Sequence, residues 1–279
     1  MALVELTARD GYRLGATLFQ PAASNGRAVM IMAATGVPQQ YYGKFAAFLA
    51  ERGFTVLTFD YRGVGRSLHG PLRQVKARMR DWALLDGAAA FDFLESTNQK
   101  LFVVGHSFGG QALGLLPKPE RIAAALTVGS QSGYWRHWPL PFGRAWMWAA
   151  AHVGMRLAPH LLGYFPGSRL GLGEDLPAGV LAEWGEWCRH PRYLVGTLGV
   201  EKEYARFNAP LRLYAITDDA FAPPRAVEAL ATLYPSSKPE VRKVKPQDVN
   251  ADRIGHFGFF RERFRDSLWR EARDWLEAQ

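Results

Sequence analysis

The chain has a single cysteine, Cys188, among 279 residues, so it cannot close an intramolecular disulfide, and a reducing cytoplasm is the expected setting. Long apolar runs are also missing. The most apolar stretch, Ala145 to Leu157, is shorter than the ~18 residues a spanning helix requires and carries His152 and Arg156, so no integral membrane association is expected. Met1 to Asp10 alternates like a strand and lacks the basic head and apolar run of a secretory leader. Charge is not concentrated either. Lys and Arg outnumber Asp and Glu by 34 to 26, for a net +8, but the basic residues are dispersed. The densest group, Arg261, Arg263, Arg265, Arg270 and Arg273, is interleaved with Glu262, Asp266, Glu271 and Asp274, the pattern of a solvated helix face. Nucleic acid is therefore not an expected partner.

Cofactor signatures are incomplete in the same way. There is no His-Glu-x-x-His and no cysteine cluster, so no metal is expected. Gly105 and Gly110 have the spacing of a phosphate loop, but Gln111 and Ala112 stand where lysine and a hydroxyl are needed. Gly63-Val64-Gly65 follows an apolar run, yet Leu68 occupies the third glycine position of a dinucleotide loop. No organic cofactor is expected.

What is present is an alternation of strands and helices. Leu3 to Thr7 and Tyr12 to Phe19 flank Asp10-Gly11, which predicts an antiparallel hairpin with a tight turn. Ala28 to Ala33, Thr55 to Phe59, Leu101 to Val104, Ala123 to Val128 and Leu211 to Ile216 are compact apolar runs, as expected of parallel strands buried on both faces. Tyr41 to Arg52, Arg80 to Leu94 and the Phe260 to Leu276 region carry apolar residues at helical spacing. The expected class is α/β, a mostly parallel central sheet with helices on both faces and catalytic loops at the carboxyl ends of its strands. One stretch breaks the rhythm. Residues 130–206 show no convincing strand and hold six of the nine tryptophans, Trp135, Trp138, Trp146, Trp148, Trp184 and Trp187. The expected organisation is a core at 1–129 and 207–279 with a helical, aromatic lid at 130–206 over an apolar pocket, the alternative being tryptophans that only pack the insertion onto the core.

The sharpest motif is Gly105-His106-Ser107-Phe108-Gly109, a G-x-S-x-G that follows the Leu101 to Val104 strand and precedes a helix expected near Gln111. A serine on such a turn needs small neighbours two positions either side, and the helix N-terminus favours developing negative charge. Ser107 is the expected nucleophile. Its hydroxyl requires a base, and of seven histidines His256 has the suitable setting, a glycine-flanked loop before the last helix; His106 should point away across the turn. The base in turn requires a carboxylate after Ser107 and before His256. Asp218 and Asp219, at the end of the Leu211 to Ile216 strand, both qualify.

Phe59-Asp60-Tyr61-Arg62-Gly63-Val64-Gly65-Arg66-Ser67 resembles the D-x-R-G-x-G-x-S loop of α/β-hydrolases, in particular the branch of serine aminopeptidases, monoglyceride lipases and similar esterases. Gly105 to Gly109, Asp219-x-x-x-Pro223 and Gly255-His256-x-Gly258-Phe259 match that superfamily's nucleophile, acid and base segments in order. The resemblance implies Asp219 as the acid, because relatives carry it four residues before a proline, with Asp218 as the alternative. It also implies Val37 and Phe108 as oxyanion-hole donors. Relatives commonly carry His-Gly before the first of these, where this chain has Thr35-Gly36.

The expected activity is hydrolysis of a carboxylic ester with an apolar acyl or alkyl group, through an acyl-enzyme. The substrate would be a small ester or lipid-like molecule, and a homodimer is a candidate assembly. Two rivals share the triad: a thioesterase, and an aminopeptidase or amidase with Glu174, Glu183 or Glu186 holding an amine. A third is a binding protein that keeps the fold without turnover.

Overall fold

The computed structural model describes residues 1–97 and 99–279, the side chains of Pro159 and His160 excepted. Among the described residues ten strands occur in chain order: β1 (Ala2–Thr7), β2 (Arg13–Phe19), β3 (Arg27–Met32), β4 (Thr55–Phe59), β5 (Lys100–His106), β6 (Ala124–Val128), β7 (Tyr164–Phe165), β8 (Leu176–Pro177), β9 (Leu211–Ile216) and β10 (Glu240–Val244). Eight form one sheet in the order β1-β2-β4-β3-β5-β6-β9-β10, and β7 with β8 makes a small separate pair. The β1–β2 and β2–β4 pairings are antiparallel, and every pairing from β4 to β10 is parallel. The α/β class expected from alternation is the observed one.

The central strands are buried along almost their whole length, which is why they read as uninterrupted apolar runs. β10 did not announce itself in the sequence. It is an edge strand, Glu240-Val241-Arg242-Lys243-Val244, with only Val244 buried, and solvent on one side removes the need for apolar residues. The opening hairpin is also built differently from a two-residue turn. Gly11 N–H closes onto Ala8 O at 2.8 Å and Ala8 N–H onto Tyr12 O at 2.9 Å, with Gly11 alone at positive φ, +83°. That is a three-residue loop ending in a left-handed glycine, so Asp10 does not adopt the left-handed conformation the tight-turn reading gave it.

Strand order reverses on either side of β3, which pairs with β4 on one edge and β5 on the other. The Met32↔Gly105 register brings the loop after β3 level with the end of β5, so residues 34–37 lie beside Ser107. A crevice at such a reversal is where sheets of this kind place their chemistry. Between β6 and β9, which are adjacent and parallel, lies the tryptophan-rich stretch of the sequence, here called the insertion. It is helical, with Phe142–Ala149, Met155–Leu162, Ala178–Arg189, Tyr193–Leu198 and Glu201–Arg206, but it also contains β7 and β8, which the sequence did not signal. Its tryptophans divide. Trp138 and Trp187 are buried, whereas Trp146 and Trp148 face outward. No helix among the described residues is long and apolar enough to cross a membrane.

A buried ion pair fastens the loop after β4. Arg62 Nε donates to Asp86 Oδ1 at 2.7 Å and Arg62 N–H to Asp86 Oδ2 at 2.8 Å, while Arg62 Nη1 reaches Asp10 at 2.6 Å. Asp86 is wholly buried, and desolvation pushes its carboxyl up to about 6 against the opposing pull of Arg62. Arg62→Met would strand that carboxylate, and a loss of about 3 kcal/mol of stability is expected near neutral pH. Without the cation the native Asp86 holds its proton to a still higher pH, while the unfolded state releases it at the ordinary carboxylate value. The variant's deficit relative to wild type should therefore shrink between about pH 7 and about pH 5, read from urea midpoints at both.

Candidate active site

β5 ends at His106, and Ser107 follows with φ 50° and ψ −114°, a conformation few non-glycine residues adopt. Its neighbours explain how it is held. A Cβ on Gly105 would lie 2.4 Å from Gly110 N, one on Gly109 would lie 2.1 Å from Met32 O of β3, and one on Gly110 would lie 2.2 Å from Ser130 Oγ. Gly105 is thus small for the expected reason, the tightness of the turn. Gly109 is small for a different one, contact with β3, and the need at Gly110 was not foreseen. Ser107 N–H donates to Val128 O of β6 at 2.9 Å, pinning the turn to the next strand. The following helix, Phe108–Gln111, starts at once after the serine rather than near Gln111.

His256 sits in the short helix Gly255–Gly258 and is almost fully buried. Its Nδ1 lies 2.7 Å from Asp219 Oδ2. Asp219 Oδ1 meanwhile accepts from Phe221 N–H at 2.8 Å and Ala222 N–H at 2.9 Å, so the carboxylate is fixed at both oxygens. An acceptor-only carboxylate requires the proton on Nδ1, which leaves Nε2 with a free lone pair. Asp218, the alternative acid, faces away from the imidazole. Its two oxygens accept the N–H groups of Gly255 and Ile254 at 3.0 Å each, anchoring the loop that carries His256. Gly129, just past β6 at φ +56°, makes room for the pair. A Cβ there would lie 3.1 Å from both His256 Nδ1 and Asp219 Oδ2. A glycine directly after a buried strand was the available signal for it.

No hydrogen bond joins Ser107 Oγ to His256 among the described residues. Their surroundings are nevertheless linked through His106, which does point away from the serine. Its Nε2 lies 3.0 Å from His256 O, and its Nδ1 lies 2.8 Å from Tyr42 OH, which accepts from Ala34 N–H at 2.9 Å. A carbonyl only accepts, so Nε2 carries the proton and Nδ1 accepts from the tyrosine. Complete burial, reinforced by the nearby His256, holds the His106 pKa well below its ordinary value. This relay runs from the loop after β3, through the turn that carries Ser107, to the segment that carries His256.

The two expected oxyanion donors differ in availability. Phe108 N–H, in the first turn of its helix, meets no protein acceptor among the described residues. Val37 N–H is not free, because it closes a turn on Ala34 O at 3.1 Å. Buried Asp60 steadies the same loop, accepting from Gln39 N–H at 2.7 Å, Gln39 Nε2 at 2.8 Å and Arg66 N–H at 3.0 Å. Glu174, from the insertion, closes over it by accepting Gly65 N–H at 2.7 Å and donating its own N–H to Gly36 O at 2.7 Å.

Two outcomes follow from this geometry. Asp219→Asn is expected to lower kcat on the order of a thousandfold or more by upsetting the His256 tautomer. Asp218→Asn should keep kcat within about tenfold and instead lose about 1–2 kcal/mol of stability, measured by turnover and by urea melts. Because native His106 stays neutral while its unfolded counterpart protonates, His106 itself subtracts up to ~1.4 kcal/mol of stability per pH unit below about 6.5, whereas Asp86, protonated in the native state below about 6, acts in the opposite sense. The stability of wild type relative to His106→Asn should therefore decline from about pH 7 to about pH 5, read from urea midpoints of both proteins.

Comparison with known proteins agrees with this architecture. Residues 33–276 match the model of the "Alpha/beta hydrolase family". A polyketide transferase, grgF of a Penicillium species, is 32% identical over 128 residues, which is 45% of this chain and 43% of that protein, so the alignment spans less than half of either. Its crystal structure superimposes with a TM-score of 0.65 at 18% identity, covering 99% of this chain and 98% of that one. A soluble variant of Saccharomyces cerevisiae monoglyceride lipase gives a TM-score of 0.73 at 15% identity, over 100% and 96% of the two chains. Pyrococcus furiosus esterase Pf2001 gives 0.65 at 16%, over 99% and 90%. With the serine turn, the fixed imidazole and the strand order in place, the family match over most of its length makes this chain a member of the alpha/beta hydrolase family.

Proposed function

We propose that the chain is a serine hydrolase that cleaves a carboxylic ester with an apolar acyl or alkyl group. The observation that carries this reading is the 2.7 Å pairing of His256 Nδ1 with Asp219, which leaves Nε2 as a base in the same crevice as the strained Ser107. In the proposed cycle Nε2 takes the Ser107 proton as Oγ attacks the carbonyl carbon. Phe108 N–H stabilises the oxyanion, aided by Val37 N–H once it is shared with or released from Ala34 O. His256 then protonates the leaving alkoxide, and water, deprotonated by the same Nε2, releases the acid. Residues 130–206 act as a lid over the acyl group in this reading.

An ester is favoured over an N-terminal amine by the carboxylates that would have to bind that amine. Glu183 is buried and paired with Arg80, whose N–H it accepts at 2.8 Å, and Glu174 is engaged by Gly65. Glu186 is exposed. A second reading is acyl transfer, supported by the relative named as a polyketide transferase. It keeps the same acyl-enzyme and replaces water with another nucleophile as acceptor.

A fluorophosphonate probe should label wild type and not Ser107→Ala. A folded wild type that resists labelling would instead favour the turnover-free binding protein. On labelled enzyme, p-nitrophenyl acyl esters should be turned over far faster than aminoacyl arylamides. Added alcohol or thiol acceptors that divert most of the acyl group from water would move the assignment to transfer.

A further inference from the structure

The insertion contains one helical rod, Phe142–Ala149 continuing through Ala150–Gly154 into Met155–Leu162. It is apolar on the wrong side. Its inward face is lined by small or flexible residues: Met147 and Ala151 are buried, Met155 Cβ sits against Gly185, and Arg189 Nη1 donates to Ala151 O at 2.8 Å. Its outward face carries Phe142, Trp146, Val153, Leu157 and Leu161, which are between 44% and 85% exposed. Successive positions are four or seven residues apart, so they form one stripe about 28 Å long at 1.5 Å per residue. Scattered exposed hydrophobics are ordinary, but an aligned stripe of this length marks a surface that is covered in use.

Charge along this part of the insertion chooses among covers. From Arg121 to Gly173 the sequence has no Asp or Glu. Arg121, at its start, pairs with Glu95; of the other four arginines, Arg156 flanks the stripe and is exposed, Arg136 and Arg169 are exposed before and after the rod, and none of these three forms an ion pair among the described residues, while Arg144 lies on the inward side with its Nη2 donating to Arg136 O. A second copy docked face to face would set arginine against arginine. An anionic lipid surface complements both features: it accepts aromatic and aliphatic side chains at the headgroup level and neutralises the guanidinium groups.

We infer that the outer face of the Phe142–Leu162 rod is a docking surface for an anionic lipid bilayer, on which the protein lies without spanning it. The inference rests on the stripe and its charges and not on the proposed chemistry.

The test is flotation of the full-length Ser107→Ala protein, which removes hydrolysis from the measurement, with phosphatidylcholine vesicles lacking or containing phosphatidylglycerol. Binding is expected to the anionic vesicles, to weaken at least about tenfold with phosphatidylcholine alone, and to fall with rising salt. The double variant Trp146→Ser/Leu157→Ser, whose side chains already face outward, should fold as wild type by circular dichroism and bind anionic vesicles about tenfold or more weakly. Arg136→Glu/Arg156→Glu, at two exposed positions, should do the same by reversing the charge. Absence of vesicle binding, or binding that either double variant leaves unchanged, overturns the inference. So does a concentration-dependent dimer in sedimentation velocity that the apolar double variant abolishes, because the stripe would then be a self-interface. A failed probe reaction at Ser107 would leave this result untouched.

Discussion

Crowding at the end of β5 is the constraint on which the rest depends. Gly105, Gly109 and Gly110 each lie where a Cβ would collide with backbone or a neighbouring side chain, so the chain can only turn sharply there. Ser107 absorbs the turn by taking a positive φ, at a conformational penalty of roughly 1–2 kcal/mol that the packed surroundings offset. Two neighbours then fall into place. The β3–β5 register sets residues 34–37 alongside the serine, and Ser107 N–H bonded to Val128 O sets β6 on the other side, with Gly129 just beyond it leaving space for the imidazole.

A second layer of order comes from the direction of buried hydrogen bonds. Polar groups removed from water must be paired, and pairing of a donor with an acceptor fixes protons as well as positions. His256 O, as an acceptor, decides the His106 tautomer, which decides that Tyr42 donates to the ring and receives from Ala34. Adjacent aspartates divide a single job similarly. Asp219 holds the imidazole, and Asp218 holds the two backbone N–H groups just before it. Neither could exchange roles without moving the strand end they share.

Legibility in the sequence followed burial. Strands enclosed on both faces, such as β4 and β6, must be apolar throughout and were plain, while β10, with one open edge, carries Glu240, Arg242 and Lys243 and was silent. At the candidate site, Ser107 was marked by its glycine-flanked turn, His256 by its glycine-flanked loop, and Asp218 and Asp219 by their place at a strand end. The choice between Asp218 and Asp219 needed family resemblance, since strand-end position fits both. The partners of His106, Tyr42 OH and His256 O, come from segments that meet only in three dimensions. Val37 shows the opposite limit: its position in the chain suggested a free donor, but a local turn engages its N–H, which no spacing rule reveals.

The insertion is not an appendage to this arrangement. Met147, on the inner side of the Phe142–Leu162 rod, packs with Trp138, and Trp138 Nε1 donates to Ala220 O at 3.1 Å, one residue beyond Asp219. Gln131 Nε2 donates to Phe221 O at 3.1 Å, and the Phe221 ring lies 5.4 Å from that of His256. The path from the apolar stripe to the imidazole therefore consists of one hydrophobic contact, one hydrogen bond and the loop that holds the acid. Contacts this short and this few leave little slack, so a shift of the rod would be felt at the Phe221 and Ala222 N–H groups that orient Asp219. The rod and the loop that carries Asp219 are thus joined through the same handful of residues.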